Sequence, residues 1–277
     1  MRLIFILALI PFLGCKKRVE AETGFRLTAS KVAVTPKVGQ GSGSHRITDL
    51  WLYVNGQFQG AYPYDHAMPI ISNGYNAHID LYAGIRNDGL STRRTYWKCY
   101  APVSFDTLAP AGTDISRDIN FKYSDAVTFA WVEGFNTTTG YSIKKTSGSD
   151  TTFKVITGDE AFEDRSIVVG LSGNAKLAQI ESSQTFTLPS ANAEVYIEFN
   201  YKCDAEFSVG LIDDANTMRS VILLSPISKW NKTYISLADA INRSESSHFK
   251  VYFRMVKNDN TVNTAFFLDN LKIVYLP

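Results

Sequence analysis

The chain has 277 residues, 28 of them Lys or Arg and 27 Asp or Glu, so its formal net charge is only +1. A balanced charge argues against a nucleic-acid-binding protein, because such proteins need a basic patch. The 14 Tyr, 17 Phe and 4 Trp, together with short runs of β-branched residues, favour strands over helices. The composition therefore predicts an all-β protein.

The first fifteen residues carry the strongest local signal. Arg2 is followed by an apolar run, residues 3–13, and then by Leu13-Gly14-Cys15. As a helix, the run would span roughly 17 Å, which is too short for a bilayer core of about 30 Å. Residues 1–14 are therefore predicted to be a cleavable export signal, and not a membrane-spanning anchor.

This segment resembles bacterial lipoprotein signals, which join a basic start and a short apolar stretch to a small residue before a cysteine. The resemblance implies cleavage before Cys15 and acylation of that residue, with residues 15–24 as a lipidated tether. It also implies attachment to the outer membrane of a Gram-negative cell, on either the periplasmic or the surface face. The alternative is an ordinary signal peptide with a chance cysteine, but a typical A-x-A cleavage site is missing around Gly14.

Residues 25–126 are predicted to form a first β-sandwich module. Residues 25–34 are strand-like, residues 39–44 read as a flexible loop, and residues 114–123 form another strand. Between them, residues 47–54 and 57–62 flank Asn55-Gly56, which has the composition of a type I′ turn and predicts a β-hairpin. In the next run, residues 75–83, Ile79 and Leu81 share one face, while His78 and Asp80 share the other. The spacing predicts a small antiparallel sandwich.

Part of this module resembles PEGA-type modules. The matching residues are Val54-Asn55-Gly56, residues 60–63, and the segment Gly74-Tyr75-Asn76-Ala77-His78-Ile79. Such modules are usually structural or interaction domains of envelope proteins. The resemblance therefore implies a role in interaction, and not in catalysis.

Residues 127–277 are predicted to form a second β-sandwich, a jelly roll, because short strands recur at the spacing typical of that fold. Only residues 236–242 look helical. Four segments in this order resemble carbohydrate-binding modules and galactose-binding-like jelly rolls: F-x-x-x-E-G-F at 129–135, R-S-I-V-V at 165–169, W-x-x-x-x-I-S-L at 230–237 and F-L-D-N-L-K-I at 267–273.

The resemblance implies two sites. A structural Ca²⁺ would lie between Glu133 and Asp269, with backbone carbonyls and Asp159 or Glu160 completing its six to eight oxygen ligands. The alternative is that these are ordinary acids at strand ends. A sugar site would use exposed aromatic rings, for which Trp230, Tyr234 and Tyr141 are candidates, whereas Trp51 and Trp131, in apolar strands, are expected in the core.

No catalytic motif is present. The four His, at 45, 66, 78 and 248, are scattered, and Gly170-Leu171-Ser172-Gly173 lacks the spacing of a nucleophile elbow. Cys99 and Cys203 are expected to be free and buried, although a disulfide is the alternative. The sequence thus predicts a non-catalytic, membrane-anchored lipoprotein that binds a glycan or a protein partner. The alternative is a structural accessory subunit of an outer-membrane complex.

Overall fold

The structure, a computed structural model, describes residues 24–72, 74–190, 193–257 and 263–277. Strands dominate these residues, and the predicted all-β fold is confirmed. Within the same ranges, no helix is long and apolar enough to cross a membrane. The predicted signal, Cys15 and all of the tether except Gly24 lie outside the described residues.

In the part of the chain that the structure describes, the first module is built from nine strands that form two facing sheets. One sheet has the strand order β4-β1-β9-β7, and the other has β3-β2-β5-β6 with β8 paired to β5. Their inward aliphatic and aromatic residues form one core. The strands are β1 Gly24–Val34, β2 Asp49–Val54, β3 Gln57–Pro63, β4 Met68–Ile71, β5 Ala77–Arg86, β6 Arg94–Tyr96, β7 Tyr100–Ala101, β8 Val103–Thr107 and β9 Asp114–Tyr123.

The hairpin predicted around Asn55-Gly56 is confirmed. Strands β2 and β3 pair antiparallel, and the two turn residues have φ values of 50° and 76°. Positive φ at both central positions is what a type I′ turn requires. The predicted antiparallel character of the whole module is wrong, because β1 pairs with β9 in parallel. These are the first and last strands of the module, and all the intervening strands provide the crossover that a parallel pair needs.

Among its described residues, the second module has twelve strands and one short α-helix. One sheet has the order β12-β13-β21-β16-β19 with β10 paired to β21, and the other has β11-β14-β20-β17-β18 with β15 paired to β20. The sheets enclose a core that includes Trp131, and the predicted jelly-roll sandwich is confirmed. The elements are β10 Thr128–Glu133, β11 Ile143–Lys145, β12 Phe153–Thr157, β13 Arg165–Leu171, β14 Leu177–Ser182, β15 Phe186–Thr187, β16 Glu194–Cys203, β17 Phe207–Asp213, β18 Met218–Leu224, β19 Ile227–Ser236, α1 Ala238–Asn242, β20 His248–Val256 and β21 Thr264–Leu276.

The two modules share a seam. Tyr234 of β19 and Val274 of β21 belong to the core of the first module, although their strands belong to the second. The rings of Trp97 and Tyr234 lie 4.8 Å apart across this seam. On one face of the sheet that contains β16, β19 and β21, part of the surface therefore packs against the first module, and the rest is exposed to solvent. The predicted boundary between residues 126 and 127 stays a prediction.

Three charged side chains are buried at the seam. Glu198 lies between Lys232 and Lys272, with nitrogen–oxygen distances of 3.6 Å and 3.5 Å. Tyr123 of the first module donates its hydroxyl to Glu198, and the Lys272 ammonium donates to the Ser42 carbonyl at 2.6 Å. Burial raises the pKa of Glu198, but the two lysines and Tyr123 outweigh it, so the net shift is downward. We refer to Glu198, Lys232 and Lys272 as the ionic cluster.

The glycine-rich loop at 39–44 packs against the second module, contrary to the prediction that it is flexible. Ser42 donates to Glu163 at 2.5 Å and Ser44 donates to Asn200 at 2.8 Å. Gly41 has φ of 73°, and a Cβ there would lie 2.9 Å from Val132 and 3.1 Å from Lys272. Glycine is needed at position 41 because the loop both adopts a left-handed conformation and approaches the sheet closely.

We expect Glu198→Gln to lower the free energy of unfolding by about 3–5 kcal/mol, because it leaves two buried ammonium groups without a countercharge. Glu206→Gln, at an exposed position, is the control and should change stability by less than about 0.5 kcal/mol. Urea unfolding followed by tryptophan fluorescence measures both. An equal, small effect of the two substitutions would contradict the importance of the ionic cluster.

The ionic cluster also predicts a pH dependence. Burial lowers the pKa of Lys232 from its ordinary 10.5 to about 8, and attraction to Glu198 offsets only part of the effect. Between these values the unfolded chain binds more protons than the folded chain, so the contribution of Lys232 to stability rises with pH. The stability of Lys232→Met relative to the natural chain should therefore fall from pH 8 to 10.5. A pH-independent difference in denaturation midpoints would exclude this titration.

Candidate functional site

An aromatic surface covers the outward face of the sheet β3-β2-β5-β6. Because residues alternate along β2 and β5, aliphatic side chains fill the core and the intervening ones point outward. The inward side chains are Leu50, Leu52, Val54, Ile79, Leu81 and Ala83. The outward aromatic residues of the four strands, which we call the aromatic platform, are Trp51, Tyr53, Phe58, Tyr82 and Tyr96.

The five rings contact one another in a closed circuit. Phe58 is 51% exposed, and the other four are partly exposed. Their planes are inclined to one another by 35–66°, within the tilted and edge-to-face arrangements that aromatic pairs prefer. The centroid separations around the circuit are 5.5 Å for Trp51–Phe58, 5.2 Å for Phe58–Tyr53, 5.2 Å for Tyr53–Tyr82, 5.3 Å for Tyr82–Tyr96 and 5.6 Å for Tyr96–Trp51.

Gly84 allows the indole of Trp51 to lie directly over β5. A Cβ at Gly84 would be 3.0 Å from Trp51 Cδ1 and 2.8 Å from Asp49 Cβ. A larger residue would therefore displace the ring from the sheet. The position of Trp51 in the aromatic platform depends on this glycine.

One end of the aromatic platform carries carboxylates and a histidine. Ser104 donates to Asp80 at 2.5 Å, and His78 Nδ1 lies 2.7 Å from Asp106. His78 Nε2 is 3.4 Å from Asp80 as well. The hydrogen bond to Asp106 raises the pKa of His78, and the charges of both carboxylates add to this effect. This rim can accept hydrogen bonds from hydroxyl groups.

The other end carries arginines. Arg94 forms a two-point contact with Asp49, in which its Nε donates to Oδ2 at 3.0 Å and Nη2 contacts Oδ1. Asp49 is buried, whereas Arg94 is exposed. The Nε/Nη2 edge of the Arg94 guanidinium is therefore already occupied by Asp49.

The sequence prediction for Tyr234 as a ligand-binding ring is wrong. The residue is 1% exposed, because it lies in the seam between the two modules. Its hydroxyl accepts a hydrogen bond from the Arg46 amide at 3.0 Å, and its ring packs on Trp97. A ring enclosed in this way cannot stack on a ligand.

Trp230 is half-buried on the outer face of its sheet. Its Nε1 donates to the Glu160 carbonyl at 3.2 Å, and the Phe162 ring packs edge-on at 5.6 Å. The ammonium of Lys202 lies 5.1 Å from the indole centroid and 4.5 Å from that of Phe267. Much of the indole is thus engaged by the protein, and its assignment as a ligand contact stays a prediction.

Tyr141 is also partly buried. Its ring packs against Phe135 and Phe153, and its hydroxyl donates to the Thr137 carbonyl at 3.0 Å. The three predicted ligand-binding rings do not contact one another. They therefore do not form one surface, and the role of Tyr141 stays a prediction.

Trp51, which the sequence predicts in the core, lies at the surface instead. Trp51 shares the outward face of β2 with Tyr53, whereas Trp131 is buried as predicted. The sequence contains a signal for this outward position, because aliphatic and aromatic residues alternate along residues 50–54. In residues 79–83, Asp80 shares a face with Tyr82 and marks that face as polar.

Glu133 and Asp269 share no hydrogen-bond partner among the described residues. Glu133 accepts from the Phe135 amide at 2.8 Å and from the amide and hydroxyl of Ser142 at 2.7 Å and 2.6 Å. Asp269 accepts from Ser166 at 2.8 Å, and burial raises its pKa to about 7. No group of three or more metal-binding side chains occurs in the described ranges. The calcium site stays a prediction.

A cleft of about 790 Å³ lies between the loop that follows β5 and the elements β18 and α1. Three of its residues are arginines, but each is paired with an aspartate. The pairs are Arg93–Asp88 at 2.7 Å, Arg219–Asp213 at 2.5 Å and Arg243–Asp239 at 3.0 Å. The cleft is therefore nearly neutral and offers no unpaired charge for a ligand among these residues.

Cys99 and Cys203 are both free and buried, as predicted. Burial raises the pKa of each thiol, so neither forms a reactive thiolate at neutral pH.

No protein-family model matches the sequence, and no curated protein matches it. Solved structures of carbohydrate-binding modules are similar to part of the chain. The CBM22-1 xylan-binding domain of Xyn10C from Paenibacillus barcinonensis is 14% identical, with a TM-score of 0.38 and coverage of 55% of this chain and 97% of that chain. A family 61 module in complex with β-1,4-galactotriose is 14% identical, with a TM-score of 0.33 and coverage of 47% and 85%. A family 29 module is 12% identical, with a TM-score of 0.34 and coverage of 53% and 88%. At TM-scores this low, the similarities carry no argument about this chain.

Proposed function

We propose that this protein is a non-catalytic, lipid-anchored envelope protein that binds a glycan through the aromatic platform of its first module. The observation that carries the proposal is the closed circuit of five partly exposed rings beside a polar rim. Sugar C–H faces pack on flat aromatic rings, while carboxylates and arginines bond the hydroxyl groups. Both kinds of group occur together on this face.

The rim of the aromatic platform supports the proposal of a glycan ligand. Three of the rings are Tyr, which combine an apolar face with a hydroxyl group. The rim holds Asp80, Asp106 and His78, whose carboxylates and imidazole can form hydrogen bonds with sugar hydroxyls. Aromatic residues inside a polar rim are also typical of protein interfaces. Docking to an outer-membrane protein is the alternative that the sequence suggests, and the binding and co-purification experiments distinguish it from glycan binding.

The proposed anchor is a lipidated Cys15. A single buried acyl chain gives only marginal attachment, and two or more make attachment stable. The basic triplet Lys16-Lys17-Arg18 would add attraction to anionic headgroups. In this arrangement, the tether holds the two modules near the membrane while the aromatic platform remains free to bind.

We expect Tyr53→Ala and Tyr82→Ala each to weaken glycan binding at least tenfold, or by about 1.4 kcal/mol, because each removes a ring from the centre of the aromatic platform. Tyr75→Ala is the matched control, since Tyr75 is 76% exposed and lies outside the circuit. Binding is measured by glycan array and then by calorimetry on the Cys15→Ser protein, with thermal melts to verify folding.

Unchanged binding in both ring variants would contradict the proposed site. Loss of binding in Trp230→Ala instead would move the site to the second module. If no glycan binds and an outer-membrane protein co-purifies in equal amount with the natural chain, the accessory-subunit alternative is supported.

The anchoring proposal predicts that Cys15→Ser shifts the protein from the membrane fraction to the aqueous fraction. The thiol is the attachment point of the first lipid, so its removal prevents acylation. Phase partitioning in a detergent that separates on warming measures the shift, with Cys99→Ser as the control. Continued membrane partitioning of Cys15→Ser would contradict a lipid anchor.

A further inference from the structure

We infer that the aromatic platform accepts an uncharged oligosaccharide of at least two linked sugars, and not a single sugar or an acidic glycan. This inference rests on the proposed function and specifies the ligand class at the same site. The extent of the ring circuit sets the length of the ligand. The charged groups around the aromatic platform determine which net charge the ligand can carry.

The rings are distributed over four adjacent strands. Phe58 lies on β3, Trp51 and Tyr53 on β2, Tyr82 on β5 and Tyr96 on β6. Trp51 contacts both Phe58 and Tyr96, at centroid separations of 5.5 Å and 5.6 Å, so the two outermost rings are at most two ring separations apart. A sugar ring is about as large as one of these aromatic rings, and a monosaccharide would therefore leave most of the surface in water.

The circuit is closed, and not a single row. Trp51 and Tyr53 are two residues apart on one strand, while Phe58 contacts both of them. The surface thus extends along the strands as well as across them. Linked sugars can contact several rings at once, and the added contacts require no second loss of translational freedom.

The charges on this face do not favour an acidic ligand. Asp49, Asp80 and Asp106 oppose Arg86, Arg94 and, when it is protonated, His78, so these groups carry no excess of positive charge. Asp49 occupies the fork of Arg94, and the nearby Lys98 is paired with Glu194. A uronate or sulfate would meet the exposed carboxylate of Asp106 without gaining an unpaired cation from Arg94 or Lys98.

The carboxylates at the rim of the aromatic platform can bind hydroxyl groups of a ligand. Asp80 and Asp106 are carboxylates that accept hydrogen bonds, and each still has an oxygen not engaged by Ser104 or His78. Hydroxyl groups can satisfy these acceptors without bringing another negative charge beside them. An uncharged, hydroxyl-rich chain therefore fits both the rings and the rim.

The test is calorimetry on the Cys15→Ser protein. The probes are gluco-, manno-, xylo- and galacto-oligosaccharides from monomer to hexamer, with oligogalacturonates and oligomannuronates of the same lengths. We expect at least one neutral series to bind, with affinity rising about tenfold or more from monomer to trimer and then levelling off. The matched uronate should bind at least about tenfold more weakly. Tyr82→Ala should remove the dependence on length, while Tyr75→Ala should retain it.

Two results would overturn the inference and leave the proposed function in place. They are equal affinity for monomer and trimer, and tighter binding of a uronate series that Tyr82→Ala still weakens. Binding of none of the probes by the natural surface would contradict both the inference and the proposed function. If Tyr82→Ala melts early, Tyr82→Phe, which removes only the hydroxyl, gives a second measurement: retained length dependence supports ring stacking, and its loss excludes it.

Discussion

The burial of Glu198 between Lys232 and Lys272 is the constraint on which the joining of the two modules depends. Charges removed from water are tolerated only when their partners are held in place, and Tyr123 and the Ser42 carbonyl supply these contacts from the first module. Neither module alone contains all the groups that contact the ionic cluster. Lys232 Nζ and Glu198 Oε2 form no hydrogen bond with the described residues, so they depend on the ion pair between them. The loop containing Gly41 must also pack closely at this seam.

This arrangement decides which aromatic residues remain accessible. Tyr234 and Trp97 are enclosed because the outer face of β19 is covered by the first module. The sheet β3-β2-β5-β6 presents its outward face to solvent, and there five rings remain partly exposed. The surface proposed to bind a glycan thus lies in the first module, although the resemblance to sugar-binding jelly rolls concerned the second.

The sequence predicts turns and strand faces well, but it predicts poorly which strands pair and which residues are covered by another module. Alternation fixed the two faces of β5, and Asn55-Gly56 identified a turn that needs positive φ at both positions. The parallel pairing of β1 with β9 could not be read from either strand, since it depends on the path of the chain between them. Tyr234 was misplaced for a related reason: its strand pattern does not reveal that another module covers it. The outward position of Trp51 is predictable from the sequence, because aliphatic and aromatic residues alternate along its strand and only one of the two sets can face the core.

Glycan binding by the aromatic platform is tested most directly with the four tryptophans at 51, 97, 131 and 230 as fluorescence reporters. Of these, Trp51 lies in the aromatic platform and Trp230 on the second module, so their responses to a bound oligosaccharide distinguish the two surfaces. If the aromatic platform binds the oligosaccharide, the ligand-induced change in fluorescence disappears in Trp51→Phe and persists in Trp230→Phe. Persistence in Trp51→Phe together with loss in Trp230→Phe would contradict binding by the aromatic platform.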